Sequence, residues 1–516
     1  MSEDPMHIEH KANGKRIAKN TIILYFRMLL VMGVTLYTSR VVLDKLGASD
    51  YGIYGAVGGV VGMLSFLTYT LNTGTSRFLT FEIGRNDFPK LRLTFSTAFY
   101  VHLLLALIVA VILCSGGAWF VLNKLIIPEE RLTAAFGVLV ISAITTMVSI
   151  TQVPYTSVII AHENMSVYAY IGIFEAAAKL GIAFLISIGH WDRLIFFAIL
   201  MAFVQIAVAM LYRVFCIKHY QESKLQRCFD KGIFKEIISF SGWTLLANFS
   251  HVLSTQGTAV LVSMFFQPSI VAAKTIGERI STTMLTFVNN FRTAITPQVI
   301  KLYANEDYAE SRKLTLQSSI YVFDLVILLA LPLIVLMKPL LDLWLVNVPE
   351  YTVEFAQIIV ATEIINVYNG TLYVPMTASA RLKENSLIGV SITLVTFALL
   401  YLLLKNGYSV MWVLYIRAAA VAVHSFVVKP ILLSKFVPDY KMRHFFLNEF
   451  DCAKIAVFPV IVSFLIYKYW LTTGFVFVAL KGMAIMASVC FSSFLFMDKE
   501  TKNRLLCFIR KKMTRN

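Results

Sequence analysis

The sequence has little charge for its length: only 15% of its 516 residues are Asp, Glu, Lys or Arg. A soluble chain carries about a quarter charged residues, because water must solvate its whole surface. Hydrophobic residues make up 58% of the chain, and they extend from residue 21 to residue 497 instead of forming one anchor. The scarcity of charge therefore excludes a soluble protein and predicts an all-α polytopic membrane protein.

The sequence also lacks features that would indicate other classes of protein. Its six cysteines include no CxxC pair, so neither a disulfide framework nor a cysteine metal site is expected. The first twenty residues are polar, without the apolar core of a cleavable signal peptide. There is no GxxxxGK[ST] phosphate loop, and no predicted extramembrane segment exceeds about 30 residues, which leaves no room for a nucleotide-binding domain.

Groups for catalysis are also missing from the predicted loops. The longest segments predicted to face outwards are residues 40–51, 121–132 and 337–352. None of them carries paired carboxylates, an HExxH helix or a Ser-His-Asp set. We therefore expect no enzyme activity, no catalytic residue, no metal and no cofactor. The alternative, a membrane glycosyltransferase or polysaccharide polymerase, is disfavoured by the absence of these groups.

Long apolar runs recur along the chain, each near the length of about 20 residues that crosses a hydrocarbon core of about 30 Å. They predict fourteen spans, near residues 21–39, 52–73, 94–120, 133–157, 167–189, 194–212, 237–263, 269–293, 314–336, 353–378, 387–404, 409–428, 455–470 and 474–497. Most of the 46 Lys and Arg residues fall in one alternating set of polar segments. Cytoplasmic loops carry such an excess, so both termini are predicted to be cytoplasmic, and the net charge of +16 requires no nucleic-acid partner.

Two sequence motifs occur twice. VPYTSVIIAHEN at 153–164 resembles VPMTASARLKEN at 374–385, and RNDFPKLRLT at 85–94 resembles NEDYAESRKLT at 305–315. Repeated loops at nearly one offset predict two six-span lobes, which have the same orientation because six is an even number; a chance match in an apolar chain is the alternative. Parallel repeats of this kind are a transporter architecture, with a substrate site between the lobes near the midplane.

The repeat divides the chain into predicted parts. These are a cytoplasmic segment 1–20, an N-lobe 21–215, a basic linker 216–236, a C-lobe 237–433, a cytoplasmic loop 434–454, two extra spans 455–497 and a basic tail 498–516.

The stretch SRVVLDKLGASDYGIYGAVGGVVGMLSFLTYTLNTGTSRFLT, residues 39–80, resembles the first two helices of polysaccharide flippases of the Wzx type. The residues that carry the resemblance are Leu46, Gly47, Tyr51, Gly52 and Tyr54, with the polar pair Ser76 and Arg77. These flippases belong to the multidrug/oligosaccharidyl-lipid/polysaccharide exporter superfamily. The resemblance implies that the chain moves a polyprenyl-diphosphate-linked oligosaccharide, such as an O-antigen or lipopolysaccharide precursor, across a bacterial inner membrane.

Eight basic residues fall within the predicted spans, and facing lipid they would together cost on the order of 20 kcal/mol. Lys468 and Lys481, near the outer ends of the extra spans, are expected to snorkel. The other six are candidates to bind an anionic substrate in a cavity: Arg417, Arg279, Lys274, Arg292, Arg27 and Lys179. A guanidinium binds phosphate through two parallel hydrogen bonds, which suits the diphosphate that the resemblance implies.

Polar side chains accompany these cations on the seventh and eighth spans. At about 100° per residue, one stripe of the eighth span holds Lys274, Glu278, Ser281, Asn289 and Arg292, and one of the seventh holds Thr244, Asn248, His251 and Thr255. Asn248, His251, Ser281 and Asn289 are candidates to line the cavity. Trp243 and Tyr368 are further candidates to contact sugar.

Three intramembrane carboxylates, Glu278, Glu175 and Glu363, are candidates for coupling transport to H⁺ or Na⁺. Glu175 with Lys179, and Lys274 with Glu278, are spaced four residues apart, so intrahelical ion pairing is the competing interpretation. Two other transport functions also stay open: flipping of the peptidoglycan lipid precursor, and multidrug export. A multidrug exporter would favour an acidic cavity for cationic compounds.

Overall fold

The computed structural model describes residues 5–85, 87–162, 164–186, 191–379, 382–470, 474–497 and 502. Glu163, the side chain of Trp243 and nearly all of the predicted tail 498–516 lie outside this description. Helices α1 to α18 run, in order, Pro5–Gly62, Ser65–Arg85, Phe88–Ile112, Ala118–Lys124, Leu132–Ala161, Met165–Leu185, Arg193–His219, Lys231–Val252, Thr258–Phe265, Pro268–Ala304, Tyr308–Val335, Met337–Trp344, Thr352–Ala378, Leu382–Lys405, Met411–Val423, Lys429–Phe436, Met442–Tyr469 and Phe475–Phe496.

Helices dominate the described backbone, which contains no β-strand. Within it, ten helical segments are long and apolar enough to cross a membrane. The prediction of an all-α, multi-pass membrane protein is therefore confirmed. The more polar α2, α8, α10 and α13 are not among the ten, so the total of fourteen spans stays a prediction.

The chain forms two compact units, residues 1–272 and 273–516. In the first unit α5 packs against α2, α3 and α7, and α1 packs against α6. In the second unit α11 packs against α13, α17 and α18, so the two C-terminal helices attach to α11. The buried contacts of that attachment come from Ile327, Leu331, Ile455, Ile485 and Val489. The predicted lobe boundary at 216–236 stays a prediction.

A single glycine separates the first predicted span from the second. The predicted outer loop 40–51 is helical, and α1 continues through it with one kink at Gly47, where φ is 78° and ψ is 165°. A side chain would be strained at this φ, so glycine lets the chain turn without a long loop. The next break comes at residues 63–64, between α1 and α2, inside the second predicted span.

The repeated motifs form matching local structures, one copy in each unit. Asp87 caps α3 by accepting a hydrogen bond from the Lys90 amide at 3.1 Å, and Asp307 caps α11 by accepting one from the Glu310 amide at 3.3 Å. The other motif places a proline inside the last turns of α5 and of α13. Two sequence echoes that fold alike in separate units support the interpretation that the chain contains a structural repeat.

The first copy of the proline motif ends against the segment after α7. His162 Nε2 lies 2.5 Å from Glu222 Oε1, and the His162 ring stacks on Tyr220 with centroids 4.3 Å apart. Burial raises the pKa of the Glu222 carboxyl, but hydrogen bonds to it, chiefly from His162, outweigh burial, so that pKa lies below its usual value. The pair thus favours the ionised carboxylate and fixes the segment to the end of α5.

This pair predicts a pH-dependent contribution to stability. A carboxyl with a lowered folded pKa stabilises the fold above its unfolded pKa, and that stabilisation is lost as pH falls through the folded pKa. We expect Glu222→Gln to lower the thermal midpoint of the detergent-solubilised chain at pH 7, and to lower it progressively less towards about pH 4. The exposed Glu236→Gln is the matched control, and a midpoint difference that stays constant with pH would contradict this assignment.

Candidate functional site

Four charged side chains meet inside the second unit, from α10, α13 and α15. Lys274 Nζ donates a hydrogen bond to Glu278 Oε1 at 2.5 Å. The Arg417 guanidinium lies 3.7 Å from Glu278 and 3.6 Å from Glu363. The side chains of Lys274, Glu363 and Arg417 are only 1%, 6% and 12% exposed. We call these four residues the charged quartet; with two cations and two anions it is electrically balanced.

The balance changes the interpretation of Arg417. The sequence marks it as the cation without an acid on its own helix, but acids on two other helices lie beside it. Glu363 also accepts a hydrogen bond from Asn366 Nδ2 at 2.7 Å. A balanced network attracts a further anion only weakly, and removing one member leaves a buried charge uncompensated. The competing interpretation of Lys274 and Glu278 as an intrahelical pair describes part of the quartet.

A second group of cations, Arg292 and Lys429, lies in the same unit. The Lys429 side chain is 4% exposed, and its Nζ lies 5.2 Å from the centre of the Tyr373 ring. Arg292 is within electrostatic range of Lys429, and among the described residues it forms no ion pair with a carboxylate. The Arg292 guanidinium rests on Gly370, in the space that a Cβ there would occupy. Two cationic side chains therefore lie within electrostatic range of each other in this unit.

Lys429 was not among the predicted site residues, because the twelfth span was predicted to end at residue 428. The apolar segment in fact extends from Met411 to Phe436, with a π-helical turn at His424–Val428. The extra residue in that turn shifts the helical phase, so regular periodicity does not predict the direction of Lys429. The usable signal was hydropathy, which stays high across Lys429.

The polar stripe of the eighth span divides by burial. Lys274 and Ser281 are buried within the second unit, whereas Asn289 is exposed; Arg279, which lies outside the stripe, is also exposed. Their helix, α10, is continuous from Pro268 to Ala304, so the regular spacing of the stripe is kept, but packing covers only part of it. Tyr368 is also buried, and its hydroxyl donates to Asn448 Oδ1 at 2.8 Å.

In the first unit, Arg27 has an arrangement like that of Arg292. Its guanidinium lies over the Tyr168 ring at 4.4 Å and occupies the space that a Cβ at Gly172 would need. Arg27 Nε has no hydrogen-bond partner among the described residues. Lys179, in contrast, donates to Glu175 at 2.5 Å on the same helix, as the competing interpretation of that pair expects.

The polar face predicted for the seventh span is interrupted. Asn248 donates to the Thr70 hydroxyl at 2.8 Å and so joins α8 to α2, while His251 is exposed. A π-helical turn at Leu253–Gly257 separates α8 from α9. Thr255 lies in that turn, so its direction does not follow from regular spacing.

The Leu-Gly-x-x-x-Tyr-Gly stretch has a structural explanation. Arg131 at the start of α5 donates to both Asp50 oxygens, at 2.9 and 2.5 Å, and also pairs with Asp192 at the start of α7. Gly52 packs directly on the Pro268 carbonyl at the start of α10, where any Cβ would overlap it. The kinked part of α1 is thus fixed against Arg131, Asp192 and Pro268, all within the first unit.

The chain matches the family model described as polysaccharide biosynthesis protein over residues 46–347. No curated protein matches it. Among solved structures, the lipid II flippase MurJ in an inward closed conformation is 13% identical, and the match covers 93% of this chain and 98% of that chain with a TM-score of 0.67.

Two other solved structures share the fold. A multidrug resistance MATE family transporter of the MOP superfamily, in an inward-facing conformation, is 14% identical over 81% of this chain and 94% of that chain, with a TM-score of 0.62. A MOP superfamily transporter from Pyrococcus furiosus, described as having a binding pocket of reverse polarity, is 14% identical over 84% and 96%, with a TM-score of 0.59. At such identities the likeness establishes the fold alone. The family match covers more than half of the sequence and agrees with the resemblance of residues 39–80, and the chain belongs to the polysaccharide biosynthesis protein family.

Proposed function

We propose that this chain is a flippase that moves a lipid-diphosphate-linked oligosaccharide across the bacterial inner membrane by alternating access, with both termini in the cytoplasm. The observation that carries the proposal is the family match. The fold also matches that of a lipid flippase over 93% of this chain. The work of such a protein is to shelter a charged, hydrated headgroup inside the bilayer, which requires polar groups inside an apolar bundle.

The structure favours some of the predicted cations over others as ligands of the diphosphate. Arg417, Lys274 and Lys179 each lie beside a carboxylate, so their charge is already compensated. Arg292, Arg279 and Arg27 form no ion pair within the described part of the chain. We assign the anion-binding role to these three arginines, with Lys429 adding positive potential near Arg292.

The carboxylates of the charged quartet suit ion coupling better than headgroup binding. Protonation of Glu363 or Glu278 would weaken its hold on Arg417 and change the packing of α10, α13 and α15. Such a change couples an ion to helix rearrangement, whether the ion is H⁺ or Na⁺. Glu175 is a weaker candidate for ion coupling, because its only described charged partner lies on the same helix.

Two glycines offer a test that leaves the arginines in place. A methyl group at Gly370 or Gly172 meets only the end of a flexible arginine, so Gly370→Ala should displace Arg292, and Gly172→Ala should displace Arg27, with little change in stability. We expect either change to reduce outer-leaflet delivery of the lipid-linked glycan about tenfold, the equivalent of one charge-assisted hydrogen bond. Delivery is measured in cells that depend on this chain for surface polysaccharide.

Controls come from the same helix and the neighbouring one. Gly181→Ala on α6 has open space, and Gly389→Ala on α14 meets its nearest side-chain atom at 3.8 Å, so both should deliver normally. Arg292→Gln should reproduce the Gly370→Ala defect. If Gly370→Ala and Arg292→Gln both deliver the glycan normally, at normal membrane levels, Arg292 is not part of the headgroup site.

One observation favours the alternative that the chain flips the peptidoglycan lipid precursor. The structural match to a lipid II flippase covers 93% of this chain, whereas the match to the MATE transporter covers 81%. Proteoliposomes of the full chain separate the candidates when loaded in turn with a lipid-diphosphate oligosaccharide, lipid II or a cationic dye. We expect translocation of the oligosaccharide alone. Translocation of lipid II would favour the precursor flippase, and translocation of the dye would favour an exporter.

A further inference from the structure

The second unit contains a cavity away from the charged quartet, lined by both polar and apolar side chains. Its volume is about 450 Å³, and it lies between α11, α17 and α18. Its polar lining comes from Gln317, Tyr321, Asp324, His444, Asn448, Asp451, Lys454 and Ser493. Each of the three helices is long and apolar enough to cross a membrane, so this much polarity between them calls for a ligand or water.

One wall of the cavity has a carboxylate with one unpaired oxygen, and the Ser493 hydroxyl lies beside the same carboxyl group. Asp324 lies in the interior of α11, and its Oδ1 is buried without a hydrogen-bond partner among the described residues. No Lys, Arg or His of the described residues forms a salt bridge with it. Leaving such an oxygen unpaired in an apolar surrounding is costly, and a cationic donor would satisfy it best.

The opposite wall carries a cation that is only partly compensated. Lys454 donates to Asp451 at 2.9 Å, and both side chains are well exposed, at 40% and 50%. Such an exposed pair is weak and leaves Lys454 able to accept a second anion. The cavity therefore presents an acid, Asp324, at one position and a base, Lys454, at another, which matches a zwitterion better than a simple ion.

Two exposed apolar side chains border the cavity. Leu447 of α17 and Phe496 of α18 line it, and their side chains are 50% and 52% exposed. A water-soluble ligand would have to cross this apolar rim, whereas a lipid would lay its acyl chains along it. The volume is also far larger than a bare cation needs, since about 30 Å³ holds one water.

We propose that this cavity binds the headgroup of a zwitterionic aminophospholipid. The ammonium group pairs with Asp324, the phosphate lies towards Lys454, and the acyl chains pass between Leu447 and Phe496. An anionic lipid without an amine would bring no ammonium group to Asp324, so its phosphate would meet two carboxylates, Asp324 and Asp451, against one cation, Lys454. This site is separate from the quartet and from the arginines assigned to the transported headgroup, and it does not depend on the transport proposal.

The site is joined to the rest of the unit by Asn448. Its Oδ1 accepts hydrogen bonds from Ser319 on α11 at 2.9 Å and from Tyr368 on α13 at 2.8 Å. Its Nδ2 donates to the Leu316 carbonyl at 2.9 Å. A lipid held beside Asn448 would thus stabilise the packing of α17 on α11 and α13, and α13 also carries Glu363.

Native mass spectrometry of the purified full chain tests the proposal with palmitoyl-oleoyl phosphatidylethanolamine and the corresponding phosphatidylglycerol. We expect Asp324→Asn to weaken phosphatidylethanolamine binding about tenfold, the loss of one charge-assisted contact, and to leave phosphatidylglycerol binding unchanged. Glu310→Gln, which removes one exposed carboxylate from the same helix, is the matched control and should bind both lipids as the unmodified chain does.

Two results would overturn the proposal: equal affinity of the unmodified chain for both lipids, or unchanged phosphatidylethanolamine binding in Asp324→Asn. If that variant does not fold, the unmodified chain still decides the question. A phosphatidylethanolamine with a photoreactive headgroup should crosslink to the 316–324 and 444–455 peptides, and crosslinks confined to other peptides would exclude the site. Neither measurement requires transport, so a failed flippase assay leaves this test intact.

Discussion

Replacing Arg417 by Met is expected to lower the unfolding free energy by about 3–5 kcal/mol, because it leaves the buried Glu363 carboxylate without its cation. The Glu363 side chain is only 6% exposed and has Asn366 as its other described polar partner. Equilibrium unfolding of the detergent-solubilised chain by SDS measures the loss. The change should also abolish transport, since the packing of three helices depends on the same charges.

The matched controls separate charge from size. Arg279→Met removes an exposed guanidinium from α10 and should change the unfolding free energy by less than about 0.5 kcal/mol. Adding Glu363→Gln to Arg417→Met should recover much of the lost stability, because Lys274 and Glu278 then stay paired and neither leaves a buried charge uncompensated. A single Arg417→Met variant as stable as the original chain would show that the quartet contributes no net stabilisation.

Gly52→Ala is expected to be the most damaging glycine substitution in the first unit. The added methyl group would overlap the Pro268 carbonyl, and backbone atoms cannot move aside as the end of a side chain can. Overpacking of this kind costs about 1–3 kcal/mol or more, so we expect the larger value and a low yield of folded protein. Fluorescence-detected size exclusion after heating measures the shift in thermal midpoint.

Gly58→Ala is the control for this substitution. It lies in the same helix, where nothing is within 4 Å of the added carbon, so it should not lower the midpoint. An alanine in the helix interior is even slightly favourable relative to glycine. If Gly52→Ala and Gly58→Ala were equally stable, the contact between α1 and the start of α10 would not fix the first unit.

Much of the fold follows from hydropathy and from repetition in the sequence. Runs of apolar residues predict the long helices, because backbone groups inside a bilayer must be paired within the helix itself. The paired motifs predict equivalent local structures, and the Asp87 and Asp307 caps have that equivalence. The kink at Gly47 was not predictable, because a glycine beside an apolar run is equally compatible with a loop or a straight helix.

The site was less predictable than the fold. Lys274 and Glu278 are four residues apart, and periodicity alone pairs them. Glu363 and Arg417 lie far from them along the chain, so their meeting depends on how α10, α13 and α15 pack. Asp324 was not among the predicted site residues, because its cavity forms only where α17 and α18 pack against α11. The π-helical turns before α9 and α16 have no strong composition signal, and they change the phase of every residue that follows.

The charged quartet also has a consequence for biogenesis. Ribosomal synthesis delivers α10 first, and Lys274 finds its counterion one turn away on that same helix, so this pair can enter the bilayer already compensated. Helix α13 follows and brings Glu363 before its basic partner exists. Glu363 therefore stays without Arg417 until α15 emerges. A nascent chain stalled in that interval would display this acid to the quality-control proteases of the membrane.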